Sequence, residues 1–443
     1  LIHVRVPTWL PLRLQVYFNG HNWLARKLDA AGISYQMADN AFSQCADWKG
    51  AQALADQLDP RQLHAELKAL TQQCCPATAQ FPNGYHWCLT QVEYAHDLVF
   101  KEAARMDALF AELARQALLA IKVEDVARFL RPGVLVVLES TTYPGTTEEL
   151  LRPILEASGL RAGRDFALGY SPERIDPGNR EHRLDTTPKI VSGLTDRCRE
   201  LAVSFYSAFI HTVVTTSTPR EAEMAKLIEN TYRQVNIALV NELAVLARDL
   251  GVDIWESLHA AATKPFGYQP FWPGPGVGGH CIAIDPTYLS WRAGQRLGYR
   301  VEFIEHANEV NNRMPDYVVS RIAEALNDAG KPIKGSTVLG VGVAFKPGID
   351  DLRSSPSLVV LERLARRGAV VGYHDTFVPR CDIDGTERDS LPLDPDVVGS
   401  HDIVVLLTPH ADVDVHALVN TAAMVFDARG VTVGIDAPNV VRL

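Results

Sequence analysis

The sequence predicts an α/β protein in which two strand-and-helix units flank a helical middle, with a mostly helical segment ahead of them. Three observations predict it. From Arg131 onward, apolar runs of strand length alternate with helical stretches, in VLVVLE, FALGYS, KIVSG and HTVVTT. A second alternation opens at STVLGVGVAF and runs through SLVVLERLARRG, VVGYHD and HDIVVLLT to MVFDARG. Between the two, REAEMAKLIENTYRQVNIALVNELAVLARDL carries its apolar residues at helical spacing. With 443 residues, 47% hydrophobic and 22% charged, the chain is long enough for two or three domains with their own cores.

Taken in order, residues 1–130 read as mostly helical, with Leu54, Leu58, Leu63, Leu67 and Leu70 on one stretch and Leu98, Met106, Leu109, Leu113 and Leu118 on the next. Inside this segment, LQVYFNGHNWLARKLDAAGISYQMADN offers a strand, Gly20, a helix, a second strand and Asp39. That is the order of a dinucleotide-binding unit, but a GxGxxG-type turn needs clustered glycines and here there is one. Cys74, Cys75, His86 and Cys88 carry metal-ligating atoms, yet their spacing fits no tight finger and no metal is expected. Residues 131–219 form the first α/β unit, 220–315 the helical middle and 316–443 the second α/β unit. The start at Leu1 reads as a fragment or an unusual start, and RFLRPGVLVV as a junction of two unrelated sequences.

Composition excludes some classes. A net charge of -10 disfavours non-specific nucleic-acid binding. No apolar run is long enough to span a bilayer, and no basic-then-apolar signal segment is present. Seven cysteines, an odd number without an even framework, suit a reducing cytosol.

Five stretches can carry chemistry. In PFWPGPGVGGHCIAIDP, Cys281 follows Gly274, Gly276, Gly278 and Gly279 and precedes Asp285 by four residues. Glycines let the backbone approach a ligand closely, and a cysteine there can act as a nucleophile. The same stretch also reads as a plain Gly/Pro loop with an inert thiol. ESTTYPGTTEE places Thr141, Thr142, Thr146 and Thr147 after a strand, to bind a cofactor or to cap a helix. YSPERIDPGN places Glu173 where it can take a proton or order a water, or simply lie in a surface loop. In KLIENTYRQVN, Lys226 and Asn230 share a helix face and can stabilise an oxyanion, unless the lysine is merely exposed. VGVAFKPGIDDLRSSPS offers Lys346 and Arg353 to phosphates, or forms an ordinary turn.

These five motifs, in this order from about Arg131 to the end, resemble the UDP-glucose/GDP-mannose dehydrogenase family. The nearest branch is the bacterial one that oxidises UDP-N-acetylhexosamines to uronic acids. The resemblance implies a partial Rossmann-like domain, a central helical dimerisation domain and a C-terminal Rossmann-like UDP-binding domain. It implies a cytoplasmic homodimer that uses NAD and a UDP-sugar. By resemblance Cys281 is the nucleophile and Lys226 and Asn230 stabilise charge on oxygen. Asp285 handles water or protons, Thr141 positions water and touches the cofactor, and Glu173 serves hydrolysis. Lys346, Phe271 and Gly276 bind the nucleotide sugar with Lys226 and Asn230, and Arg353 lies towards the cofactor. Ala283 stands where the branch has proline. The family's opening glycine-rich βαβ unit is not legible ahead of Arg131. Weak NAD binding is therefore expected, with a catalytically inactive chimera that keeps UDP binding or self-association as the alternative.

Overall fold

A computed structural model describes residues 35–38, 41–45, 123–176, 181–279 and 281–443. Its earliest elements are β1 (Tyr35–Ala38) and β2 (Ala41–Cys45), which pair antiparallel with Tyr35 opposite Cys45 and Ala38 opposite Ala41. A dinucleotide-binding βαβ unit needs a parallel crossover, and this hairpin is not one. Gly20, Asp39 and the set Cys74, Cys75, His86 and Cys88 lie outside the described residues.

The chain divides into two compact units. The first holds the described residues through Arg174, with Leu184–Lys226 and Trp291–Tyr299. Its main sheet has the order β3 (Leu135–Leu138), β4 (Ala167–Tyr170), β5 (Lys189–Gly193) and β6 (Val213–Thr215). β3 and β4 are parallel, with Leu135 opposite Ala167. β5 runs antiparallel to β4 through Gly169 opposite Gly193, and β6 is parallel to β5. All residues of β4 and β5 are buried, which is why FALGYS and KIVSG read as continuous apolar runs without alternation. One core joins Leu138, Leu168, Tyr170 and Ile190 to Leu151 and Leu155, from the π-turn Thr147–Leu151 and the helix α1 (Arg152–Glu156) that continues it. A second core packs Val191 against Ala202 and Tyr206 of α2 (Asp196–Tyr206). Thr195 caps α2 by accepting the Cys198 N–H. Val123, in a short helix over 123–128, is buried in the first core, so this core draws on residues ahead of Arg131.

The second unit holds the described part of Ile175–Arg183, with Leu227–Ser290 and Arg300–Leu443. Two helices contribute residues to both units, α3 (Pro219–Asp249) and, after α4 (Ile254–Ala262), α5 (Cys281–Leu297). The next helix, α6 (Glu302–Asp328), continues through Pro315 and past the boundary at 315/316 that the sequence suggests. A proline inside a helix costs about 3 kcal/mol. Met314, Val318, Ile322 and Leu326 are all buried at helical spacing in the same core. Each such burial stabilises by roughly 1.5–3 kcal/mol, so packing outweighs the proline.

This unit's main sheet is wholly parallel, in the order β13 (Val440–Arg442), β12 (Val425–Asp427), β11 (Ile403–Leu406), β7 (Thr337–Val341) and β8 (Val370–His374). A hairpin of β9 (Arg380–Ile383) and β10 (Thr386–Asp389) stands apart from it. From β7 the chain goes outward to β8 and then returns to β11 on the other side of β7. Strand order therefore reverses between β7 and β11, and in open α/β sheets ligands bind outside the carboxyl ends of the strands at that place. The loop after β7 carries Lys346 and Arg353, and the turn after β11 carries Thr408 and His410. α7 (Pro356–Arg366) follows the first of these loops.

Candidate functional site

The second unit carries the cysteine. Cys281 is exposed and is the first residue of α5, whose 17 residues end at Leu297. A helix N-terminus has unpaired N–H groups and the positive end of the dipole, both of which favour an anionic sulfur. Cys198 and Cys381 are free but buried.

The glycines ahead of Cys281 are used for packing. A Cβ on Gly278 would lie 2.7–2.8 Å from Phe345 Cβ, Pro356 Cδ and the Ser354 carbonyl oxygen. A Cβ on Gly279, whose φ is +79°, would lie 2.8 Å from the Phe345 ring. The Gly279 N–H donates to the Arg353 carbonyl at 3.0 Å. A Cβ on Gly276, at φ +131°, would lie 3.1 Å from the Asn311 carbonyl. The close approach that the sequence assigns to a ligand is thus made, at these three positions, to the loop after β7 and to α6. The loop is fixed further back by buried amides. Asn241 Oδ1 accepts the Gly274 N–H at 2.9 Å, Asn241 Nδ2 donates to Asn311 Oδ1 at 2.9 Å, and Asn311 Nδ2 donates to the Gln234 carbonyl at 3.3 Å. Phe271 is half-buried against the core, its ring 5.8 Å from that of Tyr232.

Asn230 and Asp285 meet. Both are buried, and Asn230 Nδ2 donates to Asp285 Oδ2 at 2.7 Å, joining α3 to α5 one turn after Cys281. Lys346 and Arg353 do not act as a joint clamp, because each has its own carboxylate. Lys346 pairs with Asp176, and Arg353 Nη2 lies 2.6 Å from Asp351 Oδ2. Behind them, His410 Nδ1 accepts the Gly348 N–H at 2.9 Å and so ties the loop after β7 to the turn after β11. Arg429 follows β12, and sequence reading missed it. Its Nε donates to the Leu407 carbonyl at 2.6 Å, and its Nη1 occupies the space where a Cβ on Gly274 would sit, at 2.7 Å. Burial pushes the guanidinium down to about 10, against the opposing pull of Asp427. Arg429 makes no ion pair among the described residues, so it can offer its charge to an anion. FDARG read only as the end of a strand, and nothing local marks this arginine as different from a surface one.

The first unit carries Thr141, Glu173 and Lys226. Thr141 lies in the loop after β3 and is half-buried, and Glu173 lies in the loop after β4. Lys189, almost fully buried at the start of β5, reaches Glu139 at 3.1 Å and Glu173 at 3.5 Å. The Tyr206 hydroxyl donates to Glu139 at 2.7 Å, and burial, reinforced by that carboxylate, raises its pKa. Lys189 and Glu139 were not singled out in the sequence, although both flank motifs that were. Lys226 is buried on α3. One turn before it, Glu223 is fully buried and receives three hydrogen bonds, from Gly145 N–H at 2.5 Å, Thr147 N–H at 2.9 Å and Thr147 Oγ1–H at 2.7 Å. Burial raises its pKa to about 7, and those hydrogen bonds hold back a larger rise.

The loop after β3 also holds an orphaned polar atom. Thr142 Oγ1 is buried and has no hydrogen-bond partner among the described residues, the kind of orphaned atom a cofactor hydroxyl or amide satisfies. A pyrophosphate would need a glycine-rich turn ahead of Arg131, a stretch mostly outside the described residues. No group of metal-ligating side chains occurs among the described residues, and no described helix is long and apolar enough to cross a membrane.

Three family models match the chain in order. They are the NAD binding, central and UDP binding domains of the UDP-glucose/GDP-mannose dehydrogenase family, at residues 116–210, 220–313 and 339–434. Protein CapL of Staphylococcus aureus is 38% identical over 315 residues, covering 70% of this chain and 73% of that protein. The UDP-N-acetyl-D-glucosamine 6-dehydrogenase of Pseudomonas aeruginosa is 40% identical over 292 residues, covering 65% of this chain and 68% of that protein. Among solved structures, a UDP-D-ManNAc dehydrogenase from Pyrococcus horikoshii superposes with a TM-score of 0.65 at 31% identity, covering 73% of this chain and 75% of that one.

Proposed function

The chain belongs to the UDP-glucose/GDP-mannose dehydrogenase family, and from that premise we propose that it oxidises the C6 alcohol of a UDP-N-acetylhexosamine to the uronate in two NAD-dependent steps. The observation that carries this reading is Cys281, an exposed thiol at a helix N-terminus whose leading loop is packed onto the loop after β7. When bound, NAD would accept one hydride in each step, a fresh NAD serving the second, which no side chain can do. The residues of the chain do the rest. The uridine diphosphate sits at the strand-order reversal between β7 and β11, with Arg429 offering an unpaired guanidinium. Lys346 and Arg353 exchange their present carboxylate partners for the nucleotide sugar and the cofactor region, Phe271 and Gly276 shape the sugar side, and Thr141 meets the cofactor.

The first oxidation leaves an aldehyde at C6, and the Cys281 thiolate adds to that carbon. Lys226 and Asn230 stabilise the oxygen that takes up the electron pair. The second oxidation removes the hydride from the same carbon and leaves a thioester. Water attacks it, Cys281 departs as thiolate, and the carboxylate remains. By the family resemblance Glu173 serves this hydrolysis, Thr141 positions water and Asp285 handles water or protons; within the first unit, Lys189 reaches Glu173 at 3.5 Å. The hydrogen bond from Asn230 to Asp285 supports a joint role for this pair. A homodimer is supported by an exposed apolar stripe on α3, comprising Ile228, Tyr232, Leu239, Leu243 and Leu246. The cysteine usage supports a cytoplasmic location.

Cys281→Ser tests the reading. Wild-type protein should form two NADH per UDP-N-acetylhexosamine, and the variant should lose uronate formation by at least a thousandfold. Mass spectrometry should map the sugar adduct to Cys281. Full turnover in Cys281→Ser, or an adduct on Cys198 or Cys381, would overturn it. A folded wild type that binds UDP without turnover would instead support the binding-only alternative.

A further inference from the structure

We infer that Glu223 is a positioning residue, whose buried carboxylate fixes the loop carrying Thr141 against the turn of α3 that carries Lys226. The inference rests on the reading of Thr141 and Lys226 given above. Glu223 and Lys226 are three residues apart on one helix and share a face. Both belong to the first unit, as does the whole segment from Thr141 to Glu149. Three donors converge on this carboxylate, with Gly145 N–H on Oε2 and both Thr147 donors on Oε1. Gly145 has φ +105°, so the chain turns there by a conformation that ordinary residues rarely adopt. The carboxylate therefore holds the point where the threonine loop ends and the π-turn begins.

An ionised carboxylate satisfies all three donors with acceptor lone pairs alone. A glutamine has a single acceptor oxygen, so its NH₂ would face either Gly145 N–H or the Thr147 pair. A protonated glutamate still accepts on its O–H oxygen, but more weakly, and its own proton needs an acceptor. A plain cap could be made by a neutral side chain without burying a charge. The loop is also gripped on its other side. Tyr143 lies 5.4 Å from the Trp291 ring, with the Arg292 guanidinium 4.6 Å from its own ring, and Glu149 pairs with Arg220, Arg292 and Arg296. The charged groups that act on Glu223 are Glu148, which disfavours its ionisation, and Arg220. With its pKa near 7, the clamp should close as pH rises through neutrality.

Hydrogen exchange by mass spectrometry on the full chain, corrected for intrinsic rates, reads the clamp without any turnover. In the wild type, protection of the peptide spanning Gly145 and Thr147 should fall about tenfold from pH 8 to pH 6. Glu223→Gln should show the low protection at both pH values. In turnover assays, Glu223→Gln should lower kcat about tenfold at pH 8, leave KM for the UDP-sugar within twofold, and lose the acidic limb of the kcat profile. Wild-type protection that is flat between pH 6 and pH 8 would overturn the inference, and it needs no variant to fold. So would a Glu223→Gln protein with wild-type kcat and pH profile, even with a loosened loop, since that would make Glu223 a cap alone. If the wild type forms no NADH, the proposed function fails while the exchange arm still decides the clamp.

Discussion

The two regions that carry the candidate chemistry are held by opposite means. The cysteine loop of the second unit is held by shape and neutral amides: glycines at 274, 276, 278 and 279, and the chain of Asn241, Asn311 and Gln234. The threonine loop of the first unit is held by charge, through buried Glu223 and Lys189 and half-buried Glu149. A site built on neutral amides and close packing has nothing to titrate near neutral pH. A site built on a buried carboxylate does. The comparison teaches that the packing which holds the cysteine loop should be insensitive to pH, while the threonine loop should tighten as pH rises.

The largest effect expected from this contrast is in stability against pH. Raising the Glu223 pKa from 4.5 to about 7 by burial means that the folded state binds a proton more tightly than the unfolded chain. Its contribution to stability is therefore fully present below about 4.5 and is lost as pH rises through about 7. Relative to the wild type, Glu223→Gln should gain on the order of 3 kcal/mol between pH 4 and pH 8. Urea unfolding at several pH values measures this, and a difference that does not change with pH would break the contrast. The sign is instructive, because ionisation weakens the fold as a whole while tightening the loop.

Next come the neutral contacts. Asn241→Ala leaves the Gly274 N–H and the Asn311 amide without their partner, and should cost about 1–3 kcal/mol. Gly278→Ala should cost about 1–3 kcal/mol by overpacking against Phe345, Ser354 and Pro356. Both losses should be the same at pH 6 and pH 8, and a loss that grew or shrank with pH would show that charge reaches this loop too. Smallest is Arg296→Ala, which removes one exposed partner of Glu149 and should cost about 0.2–1 kcal/mol. Its effect should fade in high salt, and an effect above 2 kcal/mol would show that the arginine cluster is stronger than its exposure implies.

Read as a string, the chain determined its own alternation. The runs VLVVLE, FALGYS, KIVSG and STVLGVGVAF are strands, and REAEMAKLIENTYRQVNIALVNELAVLARDL is one helix from Pro219 to Asp249. It also determined the motif set that places the chain in its family, because strand and helix periods and short motifs are local properties. Tertiary structure decided the rest. Pro315 stays inside a helix because Met314, Val318 and Ile322 find a core to fill. β5 pairs antiparallel to β4, which no residue of KIVSG announces. Gly276, Gly278 and Gly279 are filled by α6 and the loop after β7, where the string suggested a ligand. Glu223 looks like any other charged residue in sequence, and becomes special only because distant segments remove its water. Burial is a sum over neighbours brought from 70 or more positions away, as Gly145 and Thr147 are from Glu223, and periodicity carries no record of it.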